Sequence, residues 1–491
     1  MKLRTAIQYM SAEPSAQMDP ASLDSDVGSF AIDSREVESG GLFFALSQPE
    51  YKENGFNGEF EDSTRYAASA IDRGAISAIV RRDRFEEHHD ALERVENKLV
   101  FVDDVIAAFQ GLAHGVYAEW NKPVVAITGS AGKTTAKELT AHVLEASGRK
   151  VLKNIKNYNN GLGHPLTVLN LANDPSYDIA VLEMGMSTPL HEIARLCKIT
   201  PPDVSVVLNV LPVHVEHLGS IENVAKAKAE IVEGMKAGGF AVLNADDLRV
   251  AAMEPLSKGR TVTYGIDAEA DVRARDIEFP HFGETRFTLV HKGEAAQVTF
   301  PLNGRHSIMN ALAASAVGLV YGMSVEQVAT ALSTVAAPPQ RGEVLHFAEG
   351  FTVINDSYNS NPAALLSMVD TLVEGGTSAK RKIVVAGEML ELGDDELNIH
   401  RETGEELGKK EIDILIGVRG MAKELAEGAL SAGIAHAEFA LDSDQAGEMV
   451  CGLVRDGDVV LVKGSRGVKT ERVIDKLLGK YKLEEEVSVA A

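Results

Sequence analysis

Short apolar runs, each followed by a segment with helical spacing of apolar residues, recur through the middle of the chain. Such runs occupy positions 124–127, 178–182, 204–208 and 241–244. A continuous apolar run is typical of a strand in a sheet that helices cover on both faces, whereas a half-exposed strand alternates apolar and polar residues. The pattern therefore predicts a central parallel sheet with helices between its strands.

The first part of the chain shows the same alternation on a smaller scale. Strands are predicted over 29–33, 42–46 and 78–80, and a helix over 65–73. The polar segment 119–123 then predicts a link into the run at 124–127. These patterns together predict a small N-terminal α/β unit over residues 1–118.

Beyond the central runs, residues 270–301 alternate apolar and polar positions without a helical period, which predicts an antiparallel addition to the sheet. A helix is predicted over 308–319, and Pro338-Pro339 marks a break. Strands are then predicted over 351–354, 383–386, 412–418 and 459–462, with a helix over 363–372. The sequence thus predicts an α/β chain with a second, Rossmann-like doubly wound sheet, and domains over 1–118, 119–336 and 337–491.

The composition is typical of a globular protein, and its charge argues against some classes of binding partner. The chain has 491 residues, a length typical of about three domains. Its net charge of −24 argues against a general nucleic-acid or anionic-membrane surface, but it permits a small anionic ligand held by local cations. Two cysteines, Cys197 and Cys451, fit a reducing compartment, and we find neither a signal-type segment nor an apolar run long enough to span a membrane. We therefore expect a cytoplasmic protein.

The run at 124–127 leads into a segment with candidate chemistry, Thr128-Gly129-Ser130-Ala131-Gly132-Lys133-Thr134-Thr135. A small-residue turn between a strand and a helix directs backbone N–H groups at an anion, and the helix dipole adds positive potential. We expect Lys133 to reach the β- and γ-phosphates of a nucleotide and the Thr134 hydroxyl to ligate Mg²⁺. The pattern therefore predicts a phosphate loop.

Other polar residues follow the predicted strands, where ligands of parallel sheets bind. Glu183 follows the strand 178–182, and its carboxylate suits Mg²⁺, which prefers oxygen ligands. His214 and His217 follow the strand 204–208; two histidines without a third clear ligand are weak evidence for zinc, but either could serve a metal site. Lys228 lies on a predicted helix, and only its carbamate, formed with CO₂, could bind Mg²⁺.

Together these features resemble the Mur ligase family, the ATP-dependent amide-forming enzymes of peptidoglycan synthesis. The resemblance covers nearly the whole chain, with motifs in the family's order. They are the loop Gly-Ser-Ala-Gly-Lys-Thr at 129–134, an Asn-Asn-x-x-Gly-x-Pro-like run within 157–167, Asp-Ser-Tyr-Asn-x-Asn-Pro at 356–362, Gly-Glu-Met-x-Glu-Leu-Gly at 387–393 and Lys-Gly-Ser-Arg at 463–466. The last four favour the member that joins D-alanyl-D-alanine to UDP-N-acetylmuramoyl-tripeptide through an acyl phosphate.

The resemblance implies ATP, two Mg²⁺ ions, those two substrates and a monomeric enzyme. It assigns catalysis to Lys133, Glu183, His214 and Lys228, and metal binding to Thr134, Glu183, His214 and carbamoylated Lys228. It assigns ATP binding to Gly129, Ser130, Ala131, Gly132, Lys133, Thr134, Thr135, Asn310, Arg341, Asp356 and one of Asn159 and Asn160. Substrate binding falls to Ser34, Arg35, Tyr358, Asn359, Asn361, Glu388 and His400.

Two departures from the family pattern stand out. His306-Ser307 replaces the usual His-Asn, and extra residues follow Phe44-Ala45-Leu46, so we expect a rebuilt uridine site. Alternatives within the family are a ligase that adds the third residue, although its Asp-Asn-Pro-Arg string is absent from the sequence, and a folylpolyglutamate synthase, which lacks a UDP-binding first domain. An alternative from another class is an ATP-driven switch with no amine acceptor.

Overall fold

The computed structural model describes residues 1–56, 59–155, 158–186, 191–212, 218–336 and 339–484. In this part of the chain three sheets follow one another, each with its own helices. The α/β class predicted from the apolar runs is confirmed. None of the described helices is both long and apolar enough to cross a membrane.

The N-terminal sheet has five strands in the order β1-β5-β4-β3-β2, parallel except for β1. Its strands are β1 Glu13–Pro14, β2 Ser29–Ala31, β3 Gly41–Phe44, β4 Ser77–Arg81 and β5 Leu99–Val102. Its α-helices are Leu3–Met10, Gln48–Glu53, Ala67–Asp72, Arg82–Glu87, His89–Leu92 and Val105–Trp120.

The central sheet has nine strands in the order β14-β13-β12-β11-β10-β9-β6-β8-β7. They are β6 Val124–Thr128, β7 Val151–Lys153, β8 Ile179–Glu183, β9 Val204–Val207, β10 Phe240–Asn244, β11 Arg260–Gly265, β12 Val272–His281, β13 Glu284–His291 and β14 Glu294–Phe300. Its α-helices are Lys133–Ala146, Gly163–Leu169, Glu192–Ile199, Ile221–Glu233, Leu248–Ala251, Arg305–Val320 and Val325–Ser333. Strands β12, β13 and β14 pair antiparallel, which confirms the addition predicted over 270–301.

Alternation along β6 shows why its run is apolar throughout. Val124 and Ala126 enter one buried cluster, whereas Val125 and Ile127 enter the cluster on the opposite face. Both faces of the strand are therefore buried, as the continuous run predicted. The phosphate-loop strand lies between β8 and β9 in the middle of the sheet, so its carboxyl end is held on both sides.

The helix Val105–Trp120 joins the first two sheets rather than ending before a polar link. Its apolar residues belong to one buried cluster that also contains residues of β3 and β6. The predicted polar link over 119–123 is wrong for Glu119 and Trp120, because both lie in this helix and Trp120 is buried. The helix ends where Asn121 adopts a left-handed conformation with φ of 47°.

The C-terminal sheet has six strands in the order β15-β16-β20-β17-β18-β19, with only the edge pair β15–β16 antiparallel. They are β15 Glu343–His346, β16 Thr352–Asp356, β17 Arg381–Gly387, β18 Ile414–Val418, β19 His436–Ala440 and β20 Asp458–Lys463. Its α-helices are Pro362–Gly375, Glu396–Gly408, Ala422–Ala432, Ser443–Leu453 and Glu471–Lys480. This is the second doubly wound sheet that the sequence predicted.

One side chain of the central sheet enters the C-terminal core. Phe282, at the turn between β12 and β13, is buried in the cluster that contains Leu365 and Leu372 of the helix Pro362–Gly375. Gly375 faces this ring so closely that a Cβ there would lie 2.9 Å from Phe282 Cε1. The antiparallel addition therefore provides an apolar contact between the two sheets' units.

Candidate active site

The phosphate loop connects the end of β6 to the helix that begins at Lys133. Gly132 precedes that helix with φ of +83°, and a Cβ there would lie 2.6 Å from Asn310 Oδ1. Glycine is required at 132 both by its backbone conformation and by this close approach. The first N–H groups of the helix have no partner within it, so they face outward as anion donors.

Thr134 and Glu183 form the contact predicted for a magnesium site. The Thr134 hydroxyl donates to Glu183 Oε2 over 2.8 Å, and Asn159 Nδ2 donates to Glu183 Oε1 over 2.7 Å. Glu183 is only 3% exposed, and its main chain is held by two hydrogen bonds with the side chain of Asn154. The carboxylate is thus fixed at the end of β8, beside the phosphate loop.

Asn159 and Asn160 have different tasks. Whereas Asn159 contacts Glu183, Asn160 Oδ1 accepts the N–H groups of Leu162 and Gly163 at the start of the next helix. The sequence left these neighbours as equal candidates, and the geometry favours Asn159 as the one that faces the site.

Lys133 points back across its own loop. Its Nζ donates to the carbonyl oxygen of Gly129 over 2.9 Å. Burial lowers the pKa of Lys133, Glu183 opposes that shift, and Arg341 adds to it by repulsion. Arg341 belongs to the C-terminal unit, so cations of two units converge at this loop.

Lys228 is buried in the helix Ile221–Glu233 and only 2% exposed. Burial, followed by repulsion from Lys133, lowers its pKa well below the ordinary lysine value. Among the residues that the structure describes, no acceptor forms a hydrogen bond with its Nζ. Two amines that repel one another inside the protein fit a site for anions. His214, the predicted metal partner of Lys228, lies outside the described residues, as does His217.

The C-terminal unit supplies the opposite wall of the site. The Arg341 guanidinium lies 4.0 Å from the centre of the Tyr358 ring, and Arg466 lies 5.8 Å from it. Asp356 at the end of β16 accepts a hydrogen bond from Lys463 Nζ at 2.5 Å, and Lys463 also donates to the carbonyl oxygen of Asn359. The carboxyl ends of β16 and β20 thus face the phosphate loop.

A cleft of about 660 Å³ lies between these two walls. Most of the predicted nucleotide and dipeptide residues line it together, namely Ser130, Ala131, Gly132, Lys133, Thr134, Thr135, Asn159, Glu183, Asn310, Arg341, Asp356, Tyr358, Asn359 and Asn361. Asn361 also caps the helix Pro362–Gly375, because its Oδ1 accepts the N–H of Ala364. The two halves of the site, far apart in sequence, therefore meet in one cavity.

Four predicted substrate residues lie outside this lining. His400 is fully buried; its Nε2 accepts the N–H of Met389 and its Nδ1 donates to the carbonyl oxygen of Glu396, so both nitrogens are engaged. Glu388 accepts the N–H of Met421. Arg35 is 80% exposed and pairs with Asp33, and Ser34 lies beside it in the N-terminal unit.

The extra residues after Leu46 form a helix, Gln48–Glu53, with a buried carboxylate. Glu50 accepts N–H groups of Val105 and Ile106 at the start of the helix Val105–Trp120. Burial, with smaller contributions from Asp104, raises the pKa of Glu50 to about 7. The extension is therefore built into the N-terminal unit, and its effect on the uridine site stays a prediction.

Sequence reasoning missed two asparagines that hold the site. Asn154 fixes Glu183 as described, and Asn209 bonds the phosphate loop through its side chain. The rule that polar residues after parallel strands face the ligand would have found Asn209, which follows β9 as Glu183 ends β8. Among the described residues, no three His, Cys, Asp or Glu side chains form a metal cluster.

Comparison with known proteins agrees with this site. The Mur ligase middle domain matches residues 127–318, and the Mur ligase glutamate ligase domain matches residues 340–466. The UDP-N-acetylmuramoyl-tripeptide–D-alanyl-D-alanine ligase of Bacillus subtilis (strain 168) is 33% identical over 91% of this chain and 92% of its own. The ligase of the same name from Escherichia coli (strain K12) is 32% identical over 92% and 94%. The chain belongs to the Mur ligase family.

Solved structures extend the comparison to three dimensions. A crystal structure of MurF from Acinetobacter baumannii has a TM-score of 0.83 at 25% identity, covering 98% of this chain and 99% of its own. MurF from Thermotoga maritima in complex with ADP has a TM-score of 0.79 at 27% identity, covering 94% and 98%. The likeness covers nearly the whole chain, so the fold is that of these MurF structures.

Proposed function

We propose that this protein is an ATP-dependent ligase that joins D-alanyl-D-alanine to UDP-N-acetylmuramoyl-tripeptide and forms ADP and phosphate. One observation carries the proposal: a single cleft brings the phosphate loop and the Thr134–Glu183 pair to Arg341 and Asp356 of the C-terminal unit. Relatives that match over nine-tenths of the chain bear the name of this ligase. The cytoplasm is the proposed location and a monomer the proposed form.

The reaction needs activation because carboxylate oxygen is a poor leaving group. In the proposed first step, a carboxylate oxygen of the tripeptide attacks the γ-phosphorus of ATP, the bond to the ADP oxygen breaks, and an acyl phosphate forms. The amine of the dipeptide then attacks the acyl carbon, phosphate leaves and the amine loses a proton. Two anions meet in the first step, so cations such as Lys133 and Arg341 stabilise the transition state.

The residues present fit a Mg²⁺ ion beside the phosphate loop. The Thr134 hydroxyl and the Glu183 carboxylate are oxygen ligands already in contact, and Asn159 orients the second oxygen of Glu183. Such an ion would neutralise phosphate charge. A second Mg²⁺ held by His214 and a carbamate of Lys228 stays a prediction.

The carbamate proposal has a direct test in a matched pair of lysines on one helix. Lys228 is buried and is repelled by Lys133 of the cleft, although it does not line the cleft itself, whereas Lys226 is exposed on the same helix. Lys228→Ala should abolish ligation, and short carboxylic acids should restore part of it by supplying the missing oxygens; Lys226→Ala should behave like the parent. Parent-like turnover by Lys228→Ala would show that the amine is only structural.

We further propose that the N-terminal unit holds the UDP end through Ser34 and Arg35, and that the C-terminal unit holds the dipeptide through Tyr358, Asn359 and Asn361. Because the site draws on two units, closure around a hinge near 336–339 would complete it; residues 337 and 338 lie outside the described part. X-ray scattering that showed no compaction with an ATP analogue and UDP-tripeptide would contradict closure.

The decisive assay measures phosphate release. A ligase releases phosphate only when ATP, UDP-tripeptide and D-alanyl-D-alanine are all present, and the pentapeptide product appears in equal amount. An ATP-driven switch would hydrolyse ATP equally without either substrate, and a ligase of the third residue would accept a free amino acid with the dipeptide precursor instead. Either result would overturn the proposed function.

A further inference from the structure

Asn209 binds the phosphate loop on both sides of one residue. Its Oδ1 accepts the N–H of Ala131 over 2.9 Å, and its Nδ2 donates to the carbonyl oxygen of Ala131 over 3.2 Å. Its own carbonyl oxygen accepts the N–H of Ser130 over 3.1 Å. A primary amide that accepts from and donates to the same residue fixes the orientation of the two peptide planes on either side of it.

The Ser130 side chain makes a similar two-way contact with the same partner segment. Its Oγ accepts the N–H of Leu211 over 2.9 Å and donates to the carbonyl oxygen of Leu211 over 3.2 Å. The loop between β6 and its helix is therefore fastened along one side to the segment that follows β9. Both contacts lie within the cleft lining, where Asn209 and Leu211 are found beside Ser130.

These bonds divide the amides of the loop into two groups. The N–H groups of Ser130 and Ala131 are consumed inside the protein, so they are not available to a phosphate. The amides at the start of the helix, from Lys133 onward, have no partner within it. The sequence predicted that the whole loop binds the anion. The structure instead leaves only the amides at the start of the helix available to it, and the hydrogen-bonded amides of Ser130 and Ala131 hold the loop in place.

We propose that Asn209 is a positioning residue for ATP: it sets the direction of the phosphate-loop amides without contacting the phosphates. The inference rests on the proposed use of ATP. A loop that already holds its bound conformation has little conformational entropy to lose when the ligand arrives. Loss of Asn209 should therefore weaken ligands in proportion to their phosphates and leave the adenosine part of the site intact.

A graded set of ligands tests this. ATP, ADP, AMP and adenosine would compete with a fluorescent ATP analogue for the parent, Asn209→Ala and Ser130→Ala, with magnesium present. Asn209→Ala should weaken the binding of ATP and ADP by about tenfold or more, because two partly buried hydrogen bonds to the loop are lost, and change the binding of adenosine by less than about twofold. Ser130→Ala, which removes the second fastening, should show the same gradation.

Asn244→Ala is the matched control. Asn244 also ends a strand beside the cleft, and its Nδ2 donates to the carbonyl oxygen of Leu208, but it makes no bond to the loop. Any weakening in this variant should be equal for all four ligands. Thermal unfolding of each variant, compared with the parent, confirms that the protein is folded at the assay temperature.

The outcomes separate the two proposals. A parent protein that binds no adenine nucleotide overturns the proposed function and this inference with it. A parent that binds ATP, with Asn209→Ala weakening all four ligands equally or none of them, overturns the positioning role alone. If Asn209→Ala does not fold, Ser130→Ala decides by the same gradation.

Discussion

The Thr134 hydroxyl and Glu183 Oε2 lie 2.8 Å apart, a contact between the helix after β6 and the end of the neighbouring strand β8. Hydroxyl and carboxylate oxygens in this position can share one Mg²⁺ with a nucleotide. Thr134→Val keeps the shape of the side chain and removes the oxygen. We expect it to lower kcat/KM by about 100-fold, equivalent to about 2.7 kcal/mol of transition-state stabilisation, and to raise the magnesium concentration needed for half-maximal rate.

The control for this variant is on the same helix. Thr140 is buried, and its hydroxyl has no hydrogen-bond partner among the described residues, so Thr140→Val removes an oxygen that contributes to no described site. This variant should keep the parental magnesium requirement and gain rather than lose stability. Equal magnesium curves for Thr134→Val and the parent would show that Thr134 does not ligate the ion.

Lys133 and Lys137 lie one turn apart on one helix, but their replacement by methionine should have different effects. Lys133→Met should lower the rate of ligation, whereas Lys137→Met should lower the stability of the protein. Lys133 faces the cleft, and a close opposite-charge pair at an effective dielectric near 20 is worth about 4 kcal/mol, or about three powers of ten in rate. Lys133→Met should therefore abolish most ligation in a protein that unfolds no earlier than the parent. Steady-state kinetics and thermal unfolding on one preparation make the comparison.

Lys137 is buried and donates to the carbonyl oxygen of Asn154 over 2.6 Å. Lys137→Met leaves that oxygen unsatisfied, so the free energy of unfolding should fall by about 1–3 kcal/mol. Nucleotide affinity at low temperature should fall less than in Lys133→Met. A stable Lys137→Met with abolished ATP binding would contradict this division of tasks.

His164 gives the protein a defined acid sensitivity. It is fully buried, its Nε2 contacts Thr200 Oγ1 at 2.8 Å, and burial lowers its pKa to about 3. Because the unfolded chain takes up the proton near pH 6.5 and the folded chain does not, stability contributed above pH 6.5 is lost as the pH falls toward 3. The loss should approach about 1.4 kcal/mol per pH unit in that window.

Denaturant unfolding at a series of pH values measures this slope. His164→Gln cannot take up a proton, so its curve should be flatter than the parent's between pH 6.5 and 4. His346→Gln, at an exposed position, should retain the parental slope. Parallel curves for His164→Gln and the parent would place the acid sensitivity elsewhere.

Phe282 should hold the C-terminal unit against the central sheet. Its ring is buried among C-terminal residues such as Leu372, so Phe282→Ala removes an apolar anchor worth about 3–5 kcal/mol of packing. We expect faster proteolysis in the segment between the two units and a more open scattering profile without ligand. Phe279→Ala is the control, because Phe279 packs on the central cluster and not on the C-terminal one. Equal cleavage rates for the two variants would exclude an anchoring role.

Long apolar runs made the sheets predictable, because both faces of β6, β8 and β9 are dry and their sequences leave no alternative period. The strand β19 His436–Ala440 was missed: it lies at an edge, and exposed His436 and Glu438 interrupt its apolar residues. Trp120 was read as part of a polar link because its neighbours are polar, although the helical period places it against the core. Local composition therefore gave a wrong boundary where a helix ends on a buried residue among polar neighbours.

Within the site, the sequence predicted the residues that would contact ligands better than the residues that hold them in position. Lys133, Thr134 and Glu183 follow from a motif and a rule about strand ends, and the structure brings them together. The sequence could not decide between Asn159 and Asn160, because the two are adjacent and only the backbone turn determines which side chain faces Glu183. Contacts such as Phe282 with Gly375 arise between units and leave no periodic trace in either segment.

The helix Val105–Trp120 has a consequence for how this protein can be divided. Its buried residues belong to a hydrophobic core shared by the N-terminal and central sheets, so cutting the chain at residue 121 would expose a large apolar surface on each fragment. The two sheets should therefore melt as one cooperative block, with the C-terminal unit able to melt separately. If the C-terminal unit moves during turnover, the shared core predicts that the first two sheets move together as one rigid unit.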